Sequence, residues 1–213
     1  MNLEKYKKIV DSDFVTDPHN PPYYIVYDDF LSPDEYGSLK AYMTTCFPWN
    51  MTAKLNFYDQ KPYLATLVYD NTAIARQEWN SYVDEAPFIS LTSKINMLAL
   101  IRIKANMYLP KKTNEINYPH LDYPFSHQGA LYYLDDCNAP TYMTDGVAIE
   151  SKANRILFFN PSTPHSSSAP SNVNFRQTIN LNYFGSGPNP QWFHKGKNPT
   201  IVSDYVPFPI QPS

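Results

Sequence analysis

Apolar and polar positions alternate with a period of two through much of the second half of the chain. The clearest run is Arg176-Gln177-Thr178-Ile179-Asn180-Leu181-Asn182-Tyr183. Side chains two apart on a strand share a face. Arg176, Thr178, Asn180 and Asn182 therefore line one face, and Ile179, Leu181 and Tyr183 line the other. From Leu98 onward, short β-branched and aromatic runs recur between turn residues. They predict strands at Leu98–Leu109, Asn117–Asp122, Gln128–Leu134, Thr141–Thr144, Val147–Ser151, Arg155–Asn160, His165–Ser168 and Phe175–Phe184. Eight strands in roughly ninety residues predict a jelly roll.

The first half reads differently. Tyr23–Phe30 is β-branched and aromatic, which predicts a strand. Ser32-Pro33-Asp34-Glu35 follows, with a capping serine, a proline at the first helical position and a glutamate that closes a capping box. A helix over about Pro33 to Thr45 follows, stopping before Pro48. Leu55–Asp70 reads as two strands joined around Gln60-Lys61, and Thr72–Glu85 as a helix. After Gly185 the chain is rich in Pro, Asn and Gly, a packed arm or a lid. The expected fold is mainly β, a double-stranded β-helix (jelly roll) with N-terminal α/β elements packed on one side. Residues 1–213 form one domain in this reading: 1–97 strands and helices, 98–185 the core, and 186–213 a Pro-rich C-terminal arm.

Composition narrows the function. A chain of 213 residues, 43% hydrophobic and 15% aromatic, can bury a full core, which excludes disorder. Net charge is −3 and the pI is about 5.9, against a general nucleic-acid binder. Two cysteines are too few for a disulfide scaffold. No apolar run approaches the roughly 20 residues that span a bilayer, and the N-terminus carries no apolar signal core. A reducing, cytoplasmic setting is expected.

The strongest chemical signal is His120-Leu121-Asp122. On a strand, His120 and Asp122 point the same way, and His165 can supply a third ligand from another strand. Two histidines and one carboxylate on one face, with other positions open, is the facial arrangement of non-haem iron(II) oxygenases. Arg176 heads the polar strand face. A buried arginine needs an anion, and its planar fork suits a carboxylate. An internal Arg–Asp pair is the plainer alternative. Arg102 and Lys104 share a face with Asn106 but can equally point out past the barrel rim. His127, after a turn, reads as a loop histidine, with a place lining the mouth of the site as the alternative, and Cys137 reads as incidental.

His120-x-Asp122, His165 and Arg176 together resemble the facial triad and co-substrate arginine of the Fe(II)- and 2-oxoglutarate-dependent dioxygenases, in their prolyl-hydroxylase-like branch. Ile103–Tyr108, Ala130–Leu134, Asn154–Phe159 and Asp28–Glu35 resemble segments of that branch, so the likeness covers roughly Ile25–Lys40 and Leu98–Phe184. The resemblance implies a catalytic domain whose His120, Asp122 and His165 hold Fe(II). It implies 2-oxoglutarate as co-substrate, with Arg176 on its far carboxylate and Tyr108, Tyr133, Asn106 and Thr178 as further contacts. Ascorbate is a further candidate cofactor. Related halogenases lack the carboxylate ligand; Asp122 is kept here, which implies hydroxylation. The expected substrate is a peptidyl or free amino acid, proline first, with Trp49–Asp70 as a candidate lid. Nucleic-acid demethylases of this superfamily carry a second arginine where this chain has Asn182. The competing readings are a cupin-like metal-binding jelly roll without 2-oxoglutarate turnover, a structural or sugar-binding sandwich, and a nucleic-acid demethylase.

Overall fold

A computed structural model of the chain describes residues 1–15, 17–53, 61–71, 86–189 and 200–201. The expected helix at Thr72–Glu85 and most of the C-terminal arm lie outside the described residues.

Helix α1 (Leu3–Asp13) starts at Asn2, whose side chain accepts from the Lys5 N–H. Tyr6 and Val10, four apart, are its buried residues. The Tyr6 hydroxyl donates to the Met143 carbonyl at 3.0 Å, which docks the helix. Strand β1 (Tyr24–Tyr27) leads to helix α2 (Pro33–Thr45), where the capping box of Ser32 and Glu35 forms as the sequence predicts. Strands β2 (Asn50–Thr52) and β3 (Tyr63–Asp70) pair with each other, and helix α3 (Ala86–Thr92) precedes the core. The remaining strands are β4 (Ile95–Tyr108), β5 (Glu115–Ile116), β6 (Gln128–Tyr133), β7 (Cys137–Tyr142), β8 (Ala148–Ser151), β9 (Arg155–Phe159), β10 (Ser168–Ala169), β11 (Arg176–Pro188) and β12 (Thr200–Ile201).

Eight strands form one antiparallel sheet in the order β12-β1-β9-β6-β11-β4-β3-β2. A second layer is built from the β7-β8 and β10-β5 ladders. Single bridges, Tyr142 to Ser166 and His120 to His165, stitch those ladders together. The result is a jelly roll. The apolar side of β11, Ile179, Leu181 and Tyr183, joins Leu39 and Met43 of α2 and Phe88 and Leu91 of α3 in the main core. Helices α2 and α3 thus cover one face of the large sheet, and the second layer, with α1 packed against it, covers the other.

Several boundaries differ from expectation. Asn117–Asp122 is not a continuous strand: only His120 makes a bridge, and Asp122 lies in a bend. His165–Ser168 likewise contributes bridges and the short β10. Thr141–Thr144 becomes β7, which begins at Cys137, so that residue starts a strand and is not in a loop. Strands β4 and β11 run longer than expected and meet with a register shift between Asn182 and Tyr183. The first strand of the Leu55–Asp70 pair falls earlier, at β2, and residues 54–60 lie outside the described residues. Strand β3 extends the sheet edge beside β4. Among the described residues, no helix is long and apolar enough to cross a membrane.

Candidate metal and anion site

His120 and His165 exchange backbone hydrogen bonds of 3.0 and 3.1 Å, which brings their rings to 4.6 Å between centroids. Asp122 is held by its own N–H, which donates to the Pro161 carbonyl at 3.0 Å. This bond replaces the ladder that a strand would have supplied. Its carboxylate then lies 4.0 Å from Nε2 of each histidine, through Oδ1 to His120 and Oδ2 to His165. Among the described residues, these three offer one donor atom each within 4.8 Å of one another.

The donors are prepared unequally. Nδ1 of His165 meets the Thr163 carbonyl at 3.0 Å. A carbonyl only accepts, so Nδ1 carries the proton and Nε2 is free to ligate. Nδ1 of His120 is buried without a hydrogen-bond partner. Burial, and then His165, pushes the His120 pKa down to about 3, so its ring is neutral near pH 7. Burial, the largest single influence, would raise the Asp122 carboxyl, but Arg102, the two histidines and the Asn180 hydrogen bond together outweigh it and hold the group well below its usual range.

Asp122 is gripped from the large sheet. Arg102 Nη2 donates to Oδ1 at 2.8 Å, and Nδ2 of Asn180 and of Asn182 donate to Oδ2 at 2.9 and 2.8 Å. Arg102 Nε also donates to Asn182 Oδ1 at 3.1 Å, and its guanidinium lies over the Tyr123 ring. His127 sits behind this network. It is buried, its Nδ1 meets the Phe125 carbonyl at 2.8 Å, and its Nε2 accepts from Asn182 at 3.2 Å. It is a buried support of the network; it does not line the mouth.

A cavity of about 180 Å³ opens beside the triad, between the two layers. Arg176 lies in its wall and is fully buried. Its Nη2 donates to Thr141 Oγ1 at 2.9 Å, its Nη1 to the Ser168 carbonyl at 3.3 Å, and its Nε to Ser151 Oγ at 3.4 Å. Its guanidinium lies 5.3 Å from the Tyr108 ring centroid and 5.5 Å from that of Tyr133. Every one of these partners is neutral. Among the described residues Arg176 has no carboxylate, so the internal Arg–Asp pair is not found; Asp122 is matched by Arg102.

Register sets the rest. Arg176 faces Tyr108, Thr178 faces Asn106, Asn180 faces Lys104 and Asn182 faces Arg102 across β11 and β4. Tyr108, Asn106 and Thr178 line the cavity, with Leu131 and Phe159 as its apolar wall. Tyr133 flanks Arg176 and donates to Thr141 Oγ1 at 2.9 Å. Burial raises the pKa of Tyr108 and of Tyr133, so both hydroxyls keep their protons. Arg102 and Lys104 turn into the cavity, not past the rim. The period-two alternation through Asn106 and Tyr108 was the available signal for both. Thr141 and the Ser168 carbonyl carried no signal, because they reach the site through the second layer. Two imidazoles and one carboxylate with space beside them suit a divalent first-row metal such as iron(II).

No family model matches the chain, and no curated protein matches it in sequence. Solved structures do. The non-haem α-ketoglutarate-dependent epimerase SnoN of nogalamycin biosynthesis superposes with a TM-score of 0.50 at 15% identity, over 86% of this chain and 83% of that one. A Trichoplax adhaerens prolyl hydroxylase, solved with a hypoxia-inducible-factor peptide, gives 0.48 at 15% identity, over 86% and 89%. A Pseudomonas putida prolyl-4-hydroxylase gives 0.46 at 12% identity, over 85% and 98%. The likeness to SnoN is one of fold.

Proposed function

We propose that the chain is an Fe(II)- and 2-oxoglutarate-dependent oxygenase that hydroxylates a C–H bond of a peptidyl or free amino acid, with a proline-type substrate favoured. One observation carries the reading: a His-Asp-His donor set and a buried arginine without a counter-charge share one cavity. A cupin-like metal shell accounts for the donor set but leaves Arg176 unexplained. A demethylase of nucleic acids fits the acidic chain poorly, and Asn182 is occupied with Asp122. The jelly-roll likeness to SnoN supports the fold in which this chemistry is set.

Bound iron(II) would supply the redox chemistry that couples oxidative decarboxylation of 2-oxoglutarate, to succinate and carbon dioxide, to hydroxylation of the substrate. The chain's own residues bind and orient. His120, Asp122 and His165 would hold the metal, and Arg102, Asn180 and Asn182 keep the Asp122 carboxylate ionised and aimed. Arg176 takes the far carboxylate of 2-oxoglutarate through two parallel charge-assisted hydrogen bonds. Tyr108 and Tyr133 hold their rings 5.3 and 5.5 Å from that guanidinium, and Asn106 and Thr178 are within the same wall to donate to the co-substrate. Leu131 and Phe159 exclude water from the middle of the cavity. Ascorbate serves as the accessory reductant in this reading.

The test is succinate release from 2-oxoglutarate against a panel of peptides and amino acids, with mass spectrometry for a gain of one oxygen. His120→Ala and His165→Ala should each abolish turnover with little loss of folding, since neither belongs to the apolar core. Asp122→Ala should abolish turnover too, and it also costs stability because Arg102, Asn180 and Asn182 lose their acceptor. Full turnover in any of the three overturns the triad.

A further inference from the structure

Lys104 is a second cation in the cavity wall that no acidic side chain answers. It stands on β4, its Nζ donates to the Tyr63 hydroxyl at 2.7 Å, and it lies 5.3 Å from the Tyr63 ring centroid. Tyr63 is buried and stacks on Tyr108, so it is a fixed platform. Among the described residues, Lys104 makes no ion pair. Burial lowers its pKa, and the more distant Asp122 offsets only part of that.

The charge of the cavity is one-sided. Arg102, Lys104 and Arg176 line it against one carboxylate, Asp122. Arg102 is matched by Asp122 at 2.8 Å. Arg176 awaits the far carboxylate of the co-substrate. With a divalent metal and the 2-oxoglutarate dianion bound, the cavity remains net positive, and Lys104 is the side-chain cation in it that makes no ion pair among the described residues.

Its position separates it from the Arg176 end. Lys104 faces Asn180, which binds Asp122, whereas Arg176 faces Tyr108. Four residues of strand set the two backbone positions about 13 Å apart. Lys104 thus stands level with the metal ligands, where a substrate must lie to be oxidised.

We propose that Lys104, steadied by Tyr63, binds the carboxylate of a small anionic substrate, so that the acceptor is a free amino acid or a similar carboxylic acid and not a residue inside a peptide. The inference rests on the oxygenase reading and names its substrate class. An ammonium on a carboxylate makes a charge-assisted hydrogen bond, and amidation removes the charge while keeping the shape. The acid should bind about 10- to 100-fold more tightly than its amide.

The experiment is anaerobic binding to protein loaded with Mn(II) and 2-oxoglutarate, with the free L-amino acids and their C-terminal amides as probes, read by calorimetry. At least one acid should bind, its amide should bind about 10- to 100-fold more weakly, and Lys104→Met should erase that difference. Lys104→Arg, which keeps the charge, should preserve most of it, and unfolding curves confirm that both variants fold. Equal binding of acid and amide, no binding of any acid, or an unchanged preference in Lys104→Met overturns the inference. So does a Lys104→Met loss confined to 2-oxoglutarate, which would assign the lysine to the co-substrate. The same samples report on 2-oxoglutarate separately. If the parent binds it but shows no acid preference, this inference alone fails; if the parent binds none, the oxygenase reading fails too.

Discussion

Arg176 stands fully buried among neutral partners, and that arrangement is stable only with an anion to come. An unpaired charge in a low-dielectric wall is costly, and the surrounding hydroxyls and ring faces offset only part of it. The donors beside it carry a pH signature of their own. The exposed third of the His120 side chain faces the cavity, and its pKa is held down to about 3. The folded, metal-free protein therefore refuses a proton that the unfolded chain accepts below about pH 6.5. This group leaves stability unchanged above that pH and lowers it as pH falls from about 6.5 towards 3. Urea unfolding of metal-free protein at pH 7 and pH 5 checks this: His120→Asn should lose less stability between the two than the parent. Equal losses would contradict the shift. At this scale much was readable in advance. His120, Asp122, His165 and Arg176 announce themselves by residue type, spacing and the polar face of one strand. The Arg102–Asp122 pair did not, because alternation fixes a face without saying whether the far end of a strand still borders the cavity.

At the scale of elements, the site depends on strands meeting closely enough for loops to act as strands. Gly129 of β6 is one close approach beside the cavity wall. A Cβ there would lie 2.9 Å from both Phe159 Cε1 and Pro161 Cγ. Pro161 is the residue whose carbonyl receives the Asp122 N–H. Gly129→Ala should therefore shift the Asp122 bend and weaken metal binding about tenfold, the low end for a disturbed ligand support. An Fe(II) or Mn(II) titration of the variant reads this directly, and parent-like affinity would refute the coupling. Local signals served the capped helix α2 and the long strands β4, β6, β9 and β11, where pattern and tertiary environment agree. They failed for α1, whose Lys-rich surface hides only Tyr6 and Val10 as an apolar stripe. They served β7 and β8 of the second layer, expected at Thr141–Thr144 and Val147–Ser151, but failed for the two-residue β5-β10 ladder and the single bridges, which are too short to carry a period of their own.

At the scale of the molecule, the jelly roll divides labour between its two sides. The helices α2 and α3 and the odd residues of β11 bury the main core on one side. The even residues of that strand present Arg176, Thr178 and Asn180 to the cavity on the other. One strand thus serves stability and chemistry at once, and changes on the polar face should cost function before they cost folding. The N-terminal strand β1 joins the same sheet as the core strands, through β9, which sequence periodicity had no means of pairing.

The most direct test of the whole account is a titration of the anaerobic Fe(II) complex with 2-oxoglutarate, followed by its visible charge-transfer absorption. The parent should develop the band and saturate. Arg176→Lys, which keeps a charge but not the fork, should bind modestly more weakly. Arg176→Leu should lose about two to four decades in affinity, the equivalent of about 3–5 kcal/mol for a buried charged pair, with iron binding far less changed. No band in the parent, or a band in Arg176→Leu at parent affinity, would contradict the claim that this cavity is built for that co-substrate.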